Sequence, residues 1–185
     1  MKNLEKFLDY ISNLKLTVRT GWKMLRIKKG ETIASHSFGV SFLAWVLAKK
    51  KKFDTNKIIK MALVHELLEG ITGDIAASTK KYKFKRDLEK KAMPELEKLL
   101  PDELRDEIMS LTRELLEEKT EESKIVIQAD RLDTLFQLYF YKKRKSGKIT
   151  QSDLESFLGY AKEVCKEEFS KEFLNFIEEK LRAEA

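Results

Sequence analysis

His65, Glu66, Glu69 and Asp74 bring an imidazole and three carboxyl groups into a stretch, Met61–Ile75, that is otherwise almost entirely apolar. Buried acids need pairing, protonation or a cation. The nearest basic residues in sequence, Lys60 and Lys80, lie outside the cluster. A divalent ion would satisfy these groups at once, because imidazole nitrogen and carboxylate oxygen are donors that such ions accept. The only other histidine, His36, has Gly39, Val40 and Leu43 on its helical face, as His65 has Ile58, Met61 and Ala62. An imidazole among such neighbours needs a polar partner, since an orphaned buried donor or acceptor costs about 1–3 kcal/mol. Taken alone, each histidine reads as a packed residue bonded to a backbone carbonyl; beside the carboxylates, both read as metal ligands. A further ligand is available in Gln128–Asp133, where Asp130 follows the apolar run Ile125–Ile127 and so faces inward. Asp133, on nearly the same face, reads as a helix-surface acid or a partner for Arg131.

The elements that must position these groups are helical. Leu4, Phe7, Leu8, Ile11 and Leu14 recur at three- and four-residue steps and predict a first amphipathic helix. Val18–Ile33, with Gly21 and Gly30, predicts a connection holding at most a short helix. A helix over 34–50 is apolar nearly all round (Phe38, Val40, Phe42, Leu43, Trp45, Val46), which predicts the central, buried one. Asp54 or Thr55 caps a helix over 56–69, and Gly70 and Gly73 bracket a tight turn before Asp74. Further helices are predicted over 85–99, 103–118 (started by Pro101), 121–145 and 151–182, the last broken near Gly159 or Ser170. No repeat, linker, low-complexity tract or alternating strand pattern interrupts this. The expectation is a single all-α domain over residues 1–185, a helical bundle.

Composition narrows the function classes. At 185 residues the chain can bury a real core without staples, and 42% hydrophobic with 37% charged residues suits a packed domain with a solvated, mixed-charge surface. The formal net charge of +6 could favour an anionic ligand. The runs Lys49–Lys52 and Lys142–Lys145 lack the interleaved aromatics that base stacking needs, so they read as solvated helix ends and no nucleic-acid partner is expected. One cysteine, Cys165, excludes an internal disulfide and any multi-cysteine zinc site, and reads as packing. No signal peptide and no apolar run of membrane-spanning length is found, so no membrane partner and a cytoplasmic location are expected.

Five sequence elements, Arg19-Thr20-Gly21-Trp22, Ser35-His36-Ser37, His65-Glu66-Leu67-Leu68-Glu69, Thr72-Gly73-Asp74 and Ala129-Asp130, stand in an order and spacing that resemble the HD-domain metal-dependent phosphohydrolases. Within them the pattern is most similar to the five-prime deoxynucleotidase branch, which acts on nucleoside monophosphates. The resemblance implies an HD-type helical bundle and one divalent transition metal ion (Mn, Co, Fe, Ni or Zn) held by His36, His65, Glu66 and Asp130. It implies that Glu69 is a catalytic acid or base and that Asp74 holds the attacking water or the sugar-phosphate. Arg19 and Trp22 correspond to substrate contacts, Lys80 (or equally Lys81) to a phosphate-binding lysine, and Glu114 to a further acidic position. A homodimer is also implied, with Phe169, Phe173 and Phe176 either lining its seam or packing on the core. Two departures stand out. The family doublet is His-Asp where this chain has His65-Glu66, which displaces the carboxylate by about 1.5 Å; and Ser35 replaces an acid that many relatives carry.

The chemistry expected is hydrolysis of a nucleoside monophosphate to nucleoside and phosphate. Arg19 would offset phosphate charge through a fork that Lys could not reproduce, and Trp22 would stack on a base, wall off the sugar, or simply anchor the core. Alternatives are a hydrolase of a cyclic, triphosphate or tetraphosphate nucleotide, or a non-catalytic helical module with a decayed site. The short segment between Asp74 and Arg86 leaves little room for a large substrate domain and favours a small substrate.

Overall fold

The computed structural model describes residues 2–51 and 53–183. Helix α1 (Lys2–Leu16) leads into a loop closed by an isolated antiparallel bridge between Val18 and Thr32, and this loop carries the short α2 (Thr20–Met24). Then come α3 (Ile33–Lys51), α4 (Thr55–Val64), α5 (Glu69–Thr72), a 3-10 helix (Lys80–Phe84), α6 (Lys85–Leu99), α7 (Asp102–Glu117), α8 (Glu121–Lys143), α9 (Gln151–Val164) and α10 (Glu168–Ala183). No strand forms among the described residues, and the all-α expectation holds. Among them, no helix is long and apolar enough to cross a membrane.

Helices α3, α4 and α8 form the centre of the bundle, and α8 packs against α3, α4, α9 and α10. Its buried face includes Ile125, Val126, Ala129, Leu132, Leu135 and Leu138, the spacing that an α-helix lays along one side. Side-chain caps fix several helix starts: Asp54 accepts from the Lys57 N–H, and Thr120 from that of Ser123. Thr150 and Asp153 form a reciprocal capping box at the start of α9.

Three expectations are corrected. Helix α3 is not buried all round: Val40, Ala44, Leu47 and Ala48 pack inward, but Phe38 (67% exposed), Phe42, Trp45 and Val46 face outward. The expected helix over 56–69 ends at Val64, because the His65 imidazole takes the Ala62 carbonyl and the chain tightens into i→i−3 turns through Leu68. The final break falls at 165–167, so Gly159 lies inside α9 and Ser170 inside α10. Of the basic runs, Lys49 and Lys50 are exposed at the end of α3, as are Lys143, Arg144 and Lys145 at and just after the end of α8; Lys52 lies outside the described residues.

Candidate metal centre

Three neighbouring elements converge on one buried point. Helix α3 presents His36 one turn from its start, the turn after α4 presents His65 and Glu66, and the middle of α8 presents Asp130. One donor atom from each of these four residues lies within 4.8 Å of the others. His36 Nε2 sits 3.0 Å from Asp130 Oδ1 and 3.8 Å from Glu66 Oε1, while His65 Nε2 sits 3.4 Å from the same Glu66 oxygen. Bonds of about 2.1 Å to a central ion place neighbouring ligands roughly 3.0 Å apart and opposite ones roughly 4.2 Å apart, so a small contraction would close the set. The extra methylene of Glu66 therefore does not carry its carboxylate out of reach; Oε1 lies between the two imidazoles.

Unused valences also point at a cation. His65 Nδ1 bonds the Ala62 carbonyl at 2.7 Å, which leaves the lone pair on Nε2. That Nε2, together with Glu66 Oε2 and Glu69 Oε2, is buried without a hydrogen-bond partner. A run of orphaned acceptors around two imidazoles and two carboxylates suits a divalent ion with nitrogen and oxygen ligands.

His36 is held from both sides. Its Nδ1 meets Asp133 Oδ2 at 2.9 Å. On sequence alone Asp133 reads as a helix-surface acid or a partner for Arg131; the structure turns it to His36 instead. The signal was available, since Asp130 and Asp133 are three residues apart on one helix and a metal-ligating histidine commonly has a carboxylate behind its second nitrogen. Gly39 permits the approach, because a Cβ there would overlap the Asp133 carboxylate. Burial and the Arg19 charge push the His36 pKa down, but the bonds to Asp130 and Asp133 outweigh them and hold it up at about 9.

The remaining predicted residues divide. Glu69, 2% exposed, begins α5, and its Oε1 accepts from Lys85 Nζ at 2.7 Å. Burial and the neighbouring Glu66 charge raise its pKa well above the usual range, against the pull of Lys85. Burial also raises the pKa of Glu66, but Lys85 and His65 outweigh it and hold that carboxyl well below. Gly73, at φ 74, turns the chain so that the Asp74 carboxylate accepts the Thr20 N–H at the start of α2, and the Asp74 carbonyl accepts the Thr20 hydroxyl at 3.0 Å. Arg19 donates to Thr134 Oγ1 at 3.1 Å and lies 3.7 Å from Glu31 and 3.9 Å from Asp130.

Trp22 stacks on Phe157 with ring centroids 5.8 Å apart, and its Nε1 donates to Glu31 at 3.1 Å. It anchors the core and also forms one wall of a cavity of about 720 Å³, open mouth included, beside the metal cluster. Arg19, Glu69, Asp74, Ile75, Phe157 and Tyr160 also line the cavity.

Lys80 and Lys81 are not brought to the site; both are exposed on the 3-10 helix, and Lys85 supplies the cation. The sequence offers four lysines in six residues there, and only the helix phase separates them. Glu114 pairs with Lys57 at 2.8 Å and accepts the Thr120 hydroxyl, joining α4, α7 and α8 away from the cluster. Ser35 is exposed and bonds Thr32 at the start of α3. Phe157, Tyr160 and Tyr82 were not foreseen: no local pattern signals that α9 and the 3-10 helix close the cavity.

Known proteins are similar to this chain in sequence and in fold. The HD domain family profile matches residues 11–173. The 5'-deoxynucleotidase HDDC2 of Xenopus laevis is 33% identical over 145 residues, spanning 77% of this chain and 71% of its own. That of Dictyostelium discoideum is 33% identical over 165 residues, spanning 85% and 87%. A crystal structure of a Pyrococcus horikoshii protein superposes with a TM-score of 0.76 at 32% identity, covering 96% of this chain and 99% of that one.

Proposed function

The chain belongs to the HD domain family of metal-dependent phosphohydrolases, and from that premise we propose that it removes phosphate from (deoxy)nucleoside 5'-monophosphates. The observation that carries this reading is the four-residue cluster His36, His65, Glu66 and Asp130, two of whose carboxylates, Glu66 and Asp130, line a cavity that aromatic and charged side chains share. In this reading those four residues hold one divalent ion and residues 1–185 form one domain. Two imidazoles and two carboxylates favour Mn, Fe, Co, Ni or Zn over Mg or Ca. When bound, such an ion lowers the pKa of a coordinated water and draws charge from a phosphoryl oxygen.

The chain's own residues supply the rest. Arg19 and Lys85 offset the phosphate's charge, and Trp22, Phe157 and Tyr160 line the space for base and sugar. Asp74, fixed by Thr20, helps hold the attacking water in line with the P–O5' bond. As that water forms its bond to phosphorus, the P–O5' bond breaks and the leaving oxygen needs a proton. Glu69, whose pKa burial and the Glu66 charge raise, is suited to give it, while the proton shed by the attacking water passes to solvent, from which Glu69 is recharged. The products are a nucleoside and inorganic phosphate.

The deciding assay is phosphate release by purified protein with Mn²⁺ or Co²⁺ and a panel of deoxynucleoside monophosphates, cyclic nucleotides and triphosphates. Turnover of the monophosphates is expected. No activity on any deoxynucleotide, together with no bound metal, would overturn the reading.

We also read the outward face of α3 as the seam of a homodimer. Phe38, Phe42 and Trp45 form a ring ladder there, with centroids 5.0 and 6.2 Å apart, and such exposed apolar stripes mark association surfaces. Of the α10 residues, Phe169 and Phe173 pack on the core and only Phe176 stays exposed. Sedimentation should give a dimer for the native chain and a monomer for Phe42→Lys.

A further inference from the structure

The cluster opens on two cavities, not one. The second, about 960 Å³ with its open mouth, lies on the far side of His65 and Glu66, between the 3-10 helix, α6, α7 and α8. Both cavities share Glu66, Tyr82, Lys85, Asp130 and Arg131 as lining. Among these shared residues Arg131 Nη2 donates to the Tyr82 hydroxyl at 2.6 Å, a contact that forms part of the partition between the cavities. The two chambers differ in chemistry. The first carries Trp22, Phe157 and Tyr160, surfaces for a ring system. The second carries Lys83 and Arg86 at its exposed mouth, with Lys85 and Arg131 further in; Glu66, Glu89, Glu118 and Asp130 also line it. Arg86 pairs with Glu118 and Lys85 with Glu89, which leaves Lys83 and the Arg131 Nε–H as its cationic groups without a carboxylate partner among the described residues.

We propose that the second chamber is an anion site that receives the phosphate product and releases it to solvent by a route separate from the nucleoside's. This rests on the phosphomonoesterase reading above. An anion leaving the cluster lies beside the Tyr82–Arg131 partition. With a nucleoside filling the first chamber, the way out past Trp22 and Phe157 is blocked. The second chamber begins on the other side of the same two residues. Arg131 also has a donor free to receive the anion: its Nε–H is buried without a partner, and its Nη1 lies 3.6 Å from Asp130 Oδ2. A phosphate oxygen placed against that N–H would satisfy it as it moves from the cluster towards Lys83. Phosphate can then depart while the nucleoside is still held.

The test uses metal-loaded protein with deoxyadenosine and inorganic phosphate as probes. Calorimetry is expected to show phosphate binding to protein already saturated with deoxyadenosine. Lys83→Glu, an exposed change at the chamber mouth, should weaken phosphate binding about three- to tenfold and leave deoxyadenosine binding unchanged. In single turnovers of deoxyadenosine monophosphate, Leu115→Trp, which fills the chamber from α7, and Lys83→Glu should both slow phosphate release, read with a fluorescent phosphate trap. Nucleoside formation by rapid quench should keep its native rate. Mutually exclusive binding of the two products, or native phosphate affinity and release in Lys83→Glu, would overturn the proposal while leaving the hydrolysis intact. Absence of any hydrolysis, with phosphate binding still weakened by Lys83→Glu, would instead remove the reaction and keep the anion site.

Discussion

At the scale of single residues, the cluster depends on groups that never touch the ion. Asp133 holds His36 Nδ1 at 2.9 Å and so fixes which way the imidazole presents Nε2. Loss of such an outer partner commonly costs ten- to a hundredfold in metal affinity. Asp133→Asn is expected to weaken metal binding by about that range, measured by competition with a chelating dye, and Gly39→Ala should do likewise because its new Cβ displaces the same carboxylate. Native affinity in both would mean that Asp133 is only a neighbour. Glu69 separates holding from reacting. It stands beside the ligands with one oxygen held by Lys85, so Glu69→Gln should retain metal content and lower kcat by about a hundred- to ten-thousandfold with little change in KM. His65→Ala should lose metal and activity together, and equal metal loss in the Glu69 variant would make Glu69 a ligand instead.

At the scale of elements, the junction of α9 and α10 offers a clean check on packing. Cys165 ends α9, its N–H bonded to the Ala161 carbonyl at 2.8 Å, and burial pushes its thiol up to about 12. A thiol held that high has about a thousandth or less of the thiolate that an ordinary cysteine has at pH 8. Ellman titration of native protein at pH 8 should therefore give almost no reaction, and denatured protein should give one thiol per chain. Prompt reaction in the native state would mean that α9 and α10 separate readily. The same junction shows where sequence runs short as a guide. Helix existence was legible because Leu154, Leu158 and Ala161, like Leu132, Leu135 and Leu138, repeat at helical spacing. The break at 165–167 was not, because it carries neither Gly nor Pro, and tertiary packing of Cys165 decides it. His36, His65, Glu66 and Asp130 were legible for a different reason: carboxylates and imidazoles on apolar faces demand a partner wherever the chain folds. Asp133 and Lys85 were ambiguous because a charged residue near a helix surface meets that demand by solvation as well as by contact. The exposed side of α3 misled for the converse reason, since an all-apolar helix reads alike whether its outer face meets the core or another surface.

At the scale of the whole molecule, the proposed ligand set would make the ion a link between elements far apart in sequence. The four candidate donors come from α3, the turn after α4, and α8, with His36 and Asp130 94 positions apart in sequence. Unfolding separates them, so the folded chain binds the ion and the unfolded chain does so only weakly. Stability must therefore rise with free metal concentration. At a hundredfold excess over Kd the gain is about 2.7 kcal/mol, and for a chain of this size each kcal/mol moves Tm by about 2–4 °C, which predicts a rise of roughly 5–11 °C. Burial adds to the effect, because Glu66 and Asp130 must otherwise keep their charges inside the bundle against His36, His65, Arg19, Arg131 and Lys85. Calorimetric melts with and without EDTA should differ by that interval, and the difference should vanish in His65→Ala, whose own Tm should match that of the stripped native protein within a few degrees. Equal melting temperatures for native protein in Mn²⁺ and in EDTA would show that the four side chains meet without an ion, and would return His36 and His65 to ordinary packed histidines.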